Sequence, residues 1–403
     1  MGKHKCIREH AVLPALHDFS LIVVGSGFFG ATIAHKVALE LDLPVLVVER
    51  RTHIGGNSWS RIDQDTGIEY HPYGSHLFHT SNGEVWKFVT RFSAFNNYRH
   101  RVFARYRGAT YTVPINLMTI NRFFGVDLDP GAARAFIERQ AAAEHLGTPR
   151  SLEEKAIASV GRPLYEAFIK SYTAKQWQTD PAQLPPEIIA RLPVRFSFND
   201  FYFSDLYEGI PIDGYAAIFE RMLTHPRIAV MTGCDFHDLR DRIDRETPVV
   251  YTGPIDRYFD CRFGELGWRT LDFEIERPTI EDYQGAAVIN YPEPDVPFTR
   301  VHEFRHLHPE RRYGKRTLIM REFSRFARRD DEPYYPIARR EDEARYGHYR
   351  TLARAERNVI FGGRLGTYRY LDMHQAIAAA LHAYDTKVAP RLTNGRVGRL
   401  ERA

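Results

Sequence analysis

The 403-residue chain has only three cysteines, Cys6, Cys234 and Cys261, which are too widely scattered to form a paired ligand pattern. Cysteines this few argue against a disulfide framework and against a zinc site, and they fit a reducing compartment. No apolar run comes near the roughly 20 residues that a membrane-spanning helix needs. Residues 1–17 are basic without a continuous apolar core, so we expect an N-terminal extension rather than a signal peptide. These absences predict a cytoplasmic protein with no metal site and no membrane span.

The net charge is also small, with 55 basic against 51 acidic residues and a formal charge of +4. Arginine is concentrated over residues 300–369, but acidic residues interrupt every run there, which argues against nucleic-acid binding. A phosphate-bearing small molecule needs only one or two of these arginines. The hydrophobic share of 43% is ordinary for a globular chain, and the length favours two or three domains.

Residues 21–30, LIVVGSGFFG, are the most informative stretch. Four apolar residues run into a glycine turn, and a segment of helical character follows. Gly25 permits a tight turn, Gly27 lets a pyrophosphate approach the backbone, and Gly30 allows close contact between helix and strand. The helix N-terminus adds N–H donors and a positive dipole for phosphates. The order of strand, turn and helix predicts a dinucleotide-binding site.

The residues that follow distinguish between nicotinamide and flavin cofactors. A second apolar strand at 44–48 ends in Glu49, near where an acid accepts the ribose hydroxyls. Gly55 and Gly56 come six residues later, and a second glycine turn at this distance resembles the extended fingerprint of two-dinucleotide-binding-domain flavoproteins. Simple nicotinamide dehydrogenases usually lack that second turn. The βαβ unit over about residues 18–60 therefore favours FAD.

The rest of the chain alternates between helical and strand-like patterns. Residues 116–190 read mostly as helices, whereas residues 99–115 and 267–323 read as strands. The predicted fold class is α/β, with a discontinuous FAD-binding domain, an inserted helical domain and an antiparallel β-sheet domain. The predicted division is 1–17 for the extension; 18–85, 215–260 and 340–403 for the FAD-binding domain; 86–115, 191–214 and 261–339 for the sheet domain; and 116–190 for the helical domain.

Six further strings carry a family resemblance. They are GSHLFHT at 74–80, SYTAKQWQTDPAQLPPEIIARLPVR at 171–195, NDFYFSDLYEGIP at 199–211, PFTRVHEFRH at 297–306, EPYYPI at 332–337 and GGRLGTYRYLDMHQAI at 362–377. In this order and spacing they resemble the UDP-galactopyranose mutase family, over essentially residues 19–390. The resemblance implies a Rossmann-type FAD-binding domain and an isomerase that interconverts UDP-galactopyranose and UDP-galactofuranose. It also implies reduced FAD with N5 as nucleophile at the anomeric carbon, no net redox, a homodimer and an unidentified flavin reductant.

The resemblance further implies roles for individual side chains. The residues implied to bind the substrate are Phe168, Tyr172, Thr173, Trp177, Tyr202, Phe203, Trp268, Tyr335 and Tyr370. The residues implied to bind FAD are Gly25, Gly27, Phe28, Gly30, Glu49, Arg50, Gly56, Asn57, His76, Leu77, Arg364, Leu371, Asp372 and Met373. Those implied to act in catalysis are Arg191 and Arg300, on the diphosphate, and His76, beside the isoalloxazine ring.

Several of these residues also have an ordinary structural interpretation. Aromatic residues at helical spacing, such as Phe168, Tyr172 and Trp177, usually belong to a core. In the family a uracil stacks between Trp and Tyr side chains, and such stacking contributes about 1–3 kcal/mol per base. The planar fork of arginine can hold two phosphate oxygens and stays charged. An arginine in an apolar strand is as often part of a structural ion pair, and Arg195 is an alternative to Arg191.

Two rival functions remain open at this point. A flavin oxidoreductase of the amine oxidase type shares the features of the first sixty residues, but it does not explain the KQW string or the paired arginines. A nucleotide-sugar-binding protein without catalysis is the other rival, although no catalytic residue is evidently missing. The redox state of the flavin separates these functions, because an oxidase turns over with O₂ whereas a mutase works only with reduced flavin. Likewise, Tyr334 remains an alternative to Tyr335, and His79 is a loop histidine close to His76.

Overall fold

The computed structural model describes residues 15–191 and 194–393, with residues 190 and 191 described by their backbone alone. Residues 1–14 of the predicted extension lie outside the described residues.

The strands are β1 (Leu21–Val24), β2 (Val45–Glu49), β3 (Arg61–Ile62), β4 (Glu69–Tyr70), β5 (Phe78–Thr80), β6 (Val102–Tyr106), β7 (Ala109–Val113), β8 (Tyr207–Gly209), β9 (Ile228–Thr232), β10 (Val249–Tyr251), β11 (Trp268–Glu276), β12 (Val288–Asn290), β13 (Arg300–Glu303), β14 (Ile319–Phe326), β15 (Tyr335–Pro336) and β16 (Val359–Phe361). The helices are α1 (Phe28–Leu41), α2 (Gly83–Val89), α3 (Leu117–Phe124), α4 (Pro130–Ala142), α5 (Leu152–Val160), α6 (Arg162–Leu164), α7 (Ser171–Trp177), α8 (Gly214–Leu223), α9 (Phe236–Leu239), α10 (Ile255–Tyr258), α11 (Arg340–Ala355), α12 (Gly363–Gly366) and α13 (Met373–Ala383).

The first sheet is parallel, with five strands in the order β16–β10–β1–β2–β9. β1 is buried on both faces, as its apolar run predicts for a central parallel strand. Leu21 and Val23 face a core shared with α1, α8 and α13, whereas Ile22 and Val24 face a second core that includes Tyr349 of α11. Helices therefore cover both faces of a sheet whose strands come from distant parts of the chain, and the predicted α/β fold class is confirmed.

The second sheet has seven strands in the order β15–β11–β14–β13–β12–β6–β7. Its pairs are antiparallel except for β6 and β12, which run parallel with Val102 opposite Val288. The β6–β7 hairpin turns through Arg107 and Gly108, whose φ values of 49° and 74° suit a two-residue turn of the primed type. The predicted antiparallel sheet is therefore correct except at one pair, which a long connection brings together.

The predicted helical region begins with α3 and packs on its own core around Ile120, Ile157 and Leu164. A π-helical segment, Tyr165–Lys170, joins α6 to α7 and carries Phe168. π-Helical turns occur frequently at functional sites. This one leads directly into the helix that carries Tyr172 and Trp177. The division of the chain into domains at the boundaries given above stays a prediction.

Candidate active site

A cavity of about 2050 Å³ opens between α5, α7, the seven-stranded sheet and the loop that precedes α13. Pockets that hold one drug-sized ligand measure about 300–1,000 Å³, so this cavity has room for two ligands side by side. The predicted site residues that line it are Asn57, His76, Leu77, Phe168, Tyr172, Thr173, Trp177, Tyr202, Phe203, Arg300, Tyr335, Arg364, Tyr370, Asp372 and Met373. Most of the predicted side chains thus share one continuous surface.

The first glycine turn leaves an open cradle at the N-terminus of α1. Gly25 has a φ of +94°, and a Cβ there would stand 2.1 Å from Thr252 Oγ1. A Cβ at Gly30 would stand 2.0 Å from the Gly25 carbonyl oxygen, because strand and helix meet at this point. Gly27 differs, since a Cβ there would have no other described atom within 4 Å. The backbone at Gly27 therefore faces open space, which fits a pyrophosphate.

The second glycine turn lies against the first. Glu49 Oε2 accepts hydrogen bonds from the N–H and the hydroxyl of Ser26 at 3.0 and 2.6 Å. The N–H of Gly55 donates to Ser26 Oγ at 3.0 Å, and a Cβ at Gly56 would lie 3.3 Å from Gly27 Cα. The acid and the two turns form one hydrogen-bonded frame, and its residues fit the ADP half of FAD.

This frame gives a prediction for Gly27→Ala. We expect the variant to bind FAD at least about tenfold more weakly, because the methyl group occupies the space that the pyrophosphate needs, which is a loss of roughly 1.4 kcal/mol or more. The thermal unfolding of the apoprotein should stay unchanged, since the methyl group meets no protein atom. Flavin fluorescence titration and thermal unfolding measure the two effects.

Gly30→Ala is the matched control. Its added Cβ meets a backbone oxygen at 2.0 Å, so the apoprotein itself should unfold at a lower temperature. If Gly27→Ala loses FAD only in proportion to a similar loss of stability, the assignment of Gly27 to the pyrophosphate is contradicted.

Phe168 lies in a core and also lines the cavity, whereas Phe28 and Trp268 lie in cores and do not line it. The ring of Phe28 packs against Phe219 with 4.6 Å between centroids, so only the backbone of Phe28 reaches the cradle. Trp268 packs edge-on against Tyr368 and lines a separate cavity of about 320 Å³. Successive residues of a strand face opposite sides, so its neighbour Arg269 lines the main cavity instead. The structure therefore does not bring Trp268 to the predicted substrate site.

Arg269 is the functional candidate that the sequence interpretation missed. Its side chain is only 3% exposed, and its guanidinium lies 4.1 Å from the Trp177 ring centroid and 4.9 Å from that of Tyr335. Burial lowers the pKa of Arg269 to about 10. Among the described residues no carboxylate forms an ion pair with it, although the charge of Glu322 acts on it, and its Nε lacks a hydrogen-bond partner. A buried cation without a carboxylate at a cavity wall is suited to an anionic ligand.

Arg300 stands at the start of a buried polar chain. Its Nη2 donates to the Tyr172 hydroxyl at 2.5 Å, and its Nε lies 3.3 Å from Glu322 Oε1. Glu322 Oε2 lies 3.2 Å from His302 Nε2, and His302 Nδ1 lies 2.7 Å from Ser75 Oγ. Burial opposes ionisation of Glu322, but the charge of Arg300 and the hydrogen bond from His302 lower its pKa to about 2. Arg300 is thus held in place by a partner that stays ionised at neutral pH.

Tyr335 and Tyr370 form a stacked pair on the same wall, with 5.6 Å between ring centroids. The guanidinium of Arg364 lies 4.9 Å from the Tyr370 centroid and donates to the carbonyl oxygens of Tyr334 and Leu371 at 3.1 and 2.7 Å. Arg364 therefore joins the 334–335 segment to the loop before α13. The side chain of Leu371 does not line the cavity, and only its carbonyl oxygen takes part here, as the acceptor for Arg364.

The predicted catalytic histidine is a neutral imidazole at ordinary pH. Burial lowers the pKa of His76 to about 4, and its Nδ1–H donates to the Gly74 carbonyl at 2.6 Å. The remaining ring nitrogen, Nε2, is left as an acceptor. His79 differs, because its Nδ1 lies 2.7 Å from Asp205 Oδ2 and its ring stacks on Phe203 at 3.6 Å. His76 can therefore accept a hydrogen bond through Nε2, but it supplies no positive charge at ordinary pH.

The side chain of Arg191 lies outside the described part of the structure, so its predicted role stays a prediction. Its alternative, Arg195, donates from Nη1 to the Phe201 carbonyl and from Nη2 to the Tyr202 carbonyl, the latter at 3.3 Å. Arg195 therefore shapes the segment that carries Tyr202 and Phe203. On the cofactor side, Arg50 and Arg51 both pair with Glu332.

Comparison with known proteins identifies the family. A sequence model described as UDP-galactopyranose mutase matches residues 167–370, and one described as an NAD(P)-binding Rossmann-like domain matches residues 23–92. A curated protein of Klebsiella pneumoniae named "Probable UDP-galactopyranose mutase" is 41% identical over 92% of this chain and 95% of its own length. The chain belongs to the UDP-galactopyranose mutase family. The sequence resemblance is thereby confirmed, and the protein is an isomerase.

Three further similar proteins agree with this assignment. The UDP-galactopyranose mutase of Mycoplasma pneumoniae is 32% identical over 91% of this chain and 95% of its own length. A dTDP-fucopyranose mutase of Escherichia coli is 40% identical over 90% of this chain and 96% of its own. A crystal structure of reduced UDP-galactopyranose mutase shares the fold, with a TM-score of 0.68 at 16% identity, and covers 94% of this chain and 98% of that one. The family and the Rossmann-type domain imply a flavin cofactor.

Over the described ranges, the helices include none of the length and apolarity needed to cross a bilayer.

From the low pKa of Glu322 we predict how the free energy of unfolding of this protein changes at acid pH. Its stabilising contribution is complete above the ordinary carboxyl pKa of 4.5 and is lost as the pH falls towards 2. Between pH 6 and pH 3 the wild type should therefore lose about 2 kcal/mol more of its free energy of unfolding than Glu322→Gln does. Urea unfolding at the two pH values measures this difference. Equal losses in both proteins would show that Glu322 is not held ionised by Arg300 and His302.

Proposed function

We propose that the protein interconverts UDP-galactopyranose and UDP-galactofuranose, with FAD in its reduced form as cofactor. The observation that carries the proposal is one wall of the cavity. There the guanidinium of Arg269 lies against the rings of Trp177 and Tyr335, and Arg300 lines the same cavity. It offers an aromatic face for a base next to two arginines for a diphosphate. Membership of the mutase family supports a sugar nucleotide as the ligand.

When bound, reduced FAD supplies its N5 atom as the nucleophile for the anomeric carbon, without net redox. The residues of the chain bind and orient the substrate around that chemistry. Arg300, together with Arg191, stabilises the negative charge that grows on the diphosphate as its bond to the sugar breaks. Glu322 and Tyr172 hold the guanidinium of Arg300 in place, so that no reorganisation is needed when the charge develops.

Two neutral polar groups that line the cavity, Asn290 and His76, support a sugar as part of the ligand. Asn290 lies opposite Arg300 in the β12–β13 pair, and within the described part of the chain its Oδ1 is buried without a hydrogen-bond partner. An unpaired buried amide oxygen favours a ligand that donates, such as a sugar hydroxyl. His76 offers Nε2 as an acceptor on the same cavity, next to the loop that we expect to reach the flavin.

A second candidate substrate pair is dTDP-fucopyranose and dTDP-fucofuranose. The observation that favours it is the relative from Escherichia coli named dTDP-fucopyranose mutase, whose 40% identity nearly equals the 41% of the Klebsiella protein. The two nucleotide sugars share the diphosphate and a pyrimidine base, so the arginine and tryptophan wall suits both. They differ in the base methyl group, the ribose 2′-hydroxyl and the hydroxyl on C6 of the sugar.

The test is an interconversion assay under dithionite. Purified protein is incubated anaerobically with UDP-galactofuranose and, in parallel, with dTDP-fucofuranose, and the pyranose products are separated by chromatography. We expect UDP-galactopyranose to form faster than dTDP-fucopyranose. A faster reaction with the dTDP-sugar selects the second candidate, and turnover that requires O₂ selects a flavin oxidoreductase instead. The homodimer and the unidentified reductant stay predictions.

A further inference from the structure

The ammonium of the half-buried Lys175 is surrounded by backbone carbonyls. It lies in α7, two residues before Trp177, and its Nζ donates to the carbonyl oxygens of Tyr291, Glu293, Val296 and Phe298 at 2.5, 2.8, 2.8 and 3.1 Å. An ammonium group has three N–H donors, so four acceptors around it use its full capacity. A compact ammonium fits such a cage, whereas a planar guanidinium does not.

All four acceptors belong to one connection, residues 291–298, which joins β12 to β13. The connection closes where the Tyr291 N–H donates to the Thr299 carbonyl at 2.9 Å, immediately before Arg300. Its carbonyl dipoles converge on one point, where the Lys175 ammonium is their common donor. The ammonium of Lys175 therefore ties this connection to α7, and Arg300 is the second residue after it.

The four carbonyls offset the free-energy cost of removing the Lys175 ammonium from water. Burial lowers the pKa of Lys175 to about 8, and the nearby carboxylates of Asp295 and Glu293 oppose this only in part. A lysine that served only as a surface charge would keep its ammonium in water. The position thus suits a half-buried cation that four carbonyls solvate in place of part of its water shell.

The next residue fixes the same helix from another side. The Gln176 carbonyl accepts hydrogen bonds from Arg269 Nη1 and from Ser324 Oγ, the latter at 2.7 Å. α7 is therefore tied to β11 and β14 through Gln176 and to the β12–β13 connection through Lys175. These two ties surround Trp177 and lead to Arg269 and Arg300, the residues that we assign to the base and the diphosphate.

We propose that Lys175 is a positioning residue for the nucleotide-sugar reaction, because it holds the 291–298 connection on α7 and so fixes Arg300 relative to Trp177. The inference rests on the proposed function. It assigns to Lys175 no contact with the substrate or the cofactor. Its effect should appear in the turnover step, where the placement of Arg300 matters most, more than in ground-state binding.

Lys175→Met removes the three donors and keeps the unbranched stem. The matched control is Lys170→Met, one and a half turns earlier and exposed to solvent. We expect Lys175→Met to lower kcat at least about tenfold with a smaller change in KM, and its FAD content should match that of the control. Hydrogen exchange at the amides of residues 291–300 should also become faster in Lys175→Met than in Lys170→Met. Unchanged exchange and kcat, or a loss of activity that only follows a loss of FAD, would overturn the proposal.

Chemical rescue provides a second readout. Lys175→Ala lacks the atoms of propylammonium, so added propylammonium should restore kcat in part, whereas propanol, which fills the same space without charge, should not. If the two compounds restored kcat equally, Lys175 would act only by filling space, and the proposal would be overturned. If the wild type turns over and Lys175→Met equals Lys170→Met, this inference alone fails. If the wild type neither binds UDP nor turns over, the proposed function fails and this inference fails with it.

Discussion

Arg300→Lys should lower kcat by about 10²–10³ while the protein stays folded and retains FAD. Lysine keeps a positive charge beside Glu322, so the buried carboxylate is not left unpaired. Its ammonium cannot reproduce the fork by which Arg300 reaches both Glu322 and the Tyr172 hydroxyl while it also binds the diphosphate that we propose as its ligand. Steady-state kinetics, flavin absorbance and thermal unfolding together measure the result.

The control for Arg300→Lys is Arg321→Lys. Arg321 lies on the neighbouring strand β14 and pairs with the exposed Glu276, outside the cavity lining. This control should stay near wild-type turnover. Arg191→Lys should show a loss like that of Arg300→Lys, because the family resemblance assigns both arginines to the diphosphate. Arg300→Lys with nearly wild-type kcat would remove Arg300 from the group that stabilises the leaving diphosphate.

Trp177→Ala should weaken UDP binding by about 5- to 150-fold, the equivalent of a stacking loss of about 1–3 kcal/mol. The bound flavin should keep its spectrum, because Trp177 lies on the wall with Arg269 and Tyr335 rather than in the glycine frame. Arg269 also loses the ring that covers its guanidinium, which adds to the effect. Isothermal titration calorimetry with UDP measures the affinity.

Trp268→Phe is the matched control for Trp177→Ala. Trp268 is buried against Tyr368 and lines the separate small cavity, so its replacement should lower thermal stability and leave UDP affinity unchanged. If UDP affinity depended on Trp268 and not on Trp177, both assignments would be contradicted. Trp177 would then be a residue of the helical core, and Trp268 would bind the substrate as the family resemblance implies.

The features that could be predicted from the sequence are mostly local. The glycine turn at Gly25–Gly30 and the acid at Glu49 are fixed by a few consecutive residues, so their pattern carries the geometry. Trp268 and Arg269 show the limit of this approach. A shift of one position on a strand exchanges the two faces of the sheet, and only the pairing of β11 with β14 determines which residue faces the cavity.

The contacts that could not be predicted join distant segments. Ser75 and His302 are 227 positions apart, and Lys175 meets carbonyls more than 110 residues away. Backbone carbonyls have no sequence signature, so a cage built from them is invisible before the fold is known. The parallel pair of β6 with β12 is of the same kind, since nothing within either strand specifies its partner.

The most direct test of the central claim counts product against reducing equivalents. The enzyme is reduced anaerobically with one equivalent of dithionite per flavin, UDP-galactofuranose is added in large excess, and the flavin spectrum and UDP-galactopyranose are followed together. The proposed isomerisation without net redox predicts many product molecules per flavin while the spectrum stays that of the reduced flavin. Product limited to about one per flavin, or formed only as the flavin is oxidised, would contradict it.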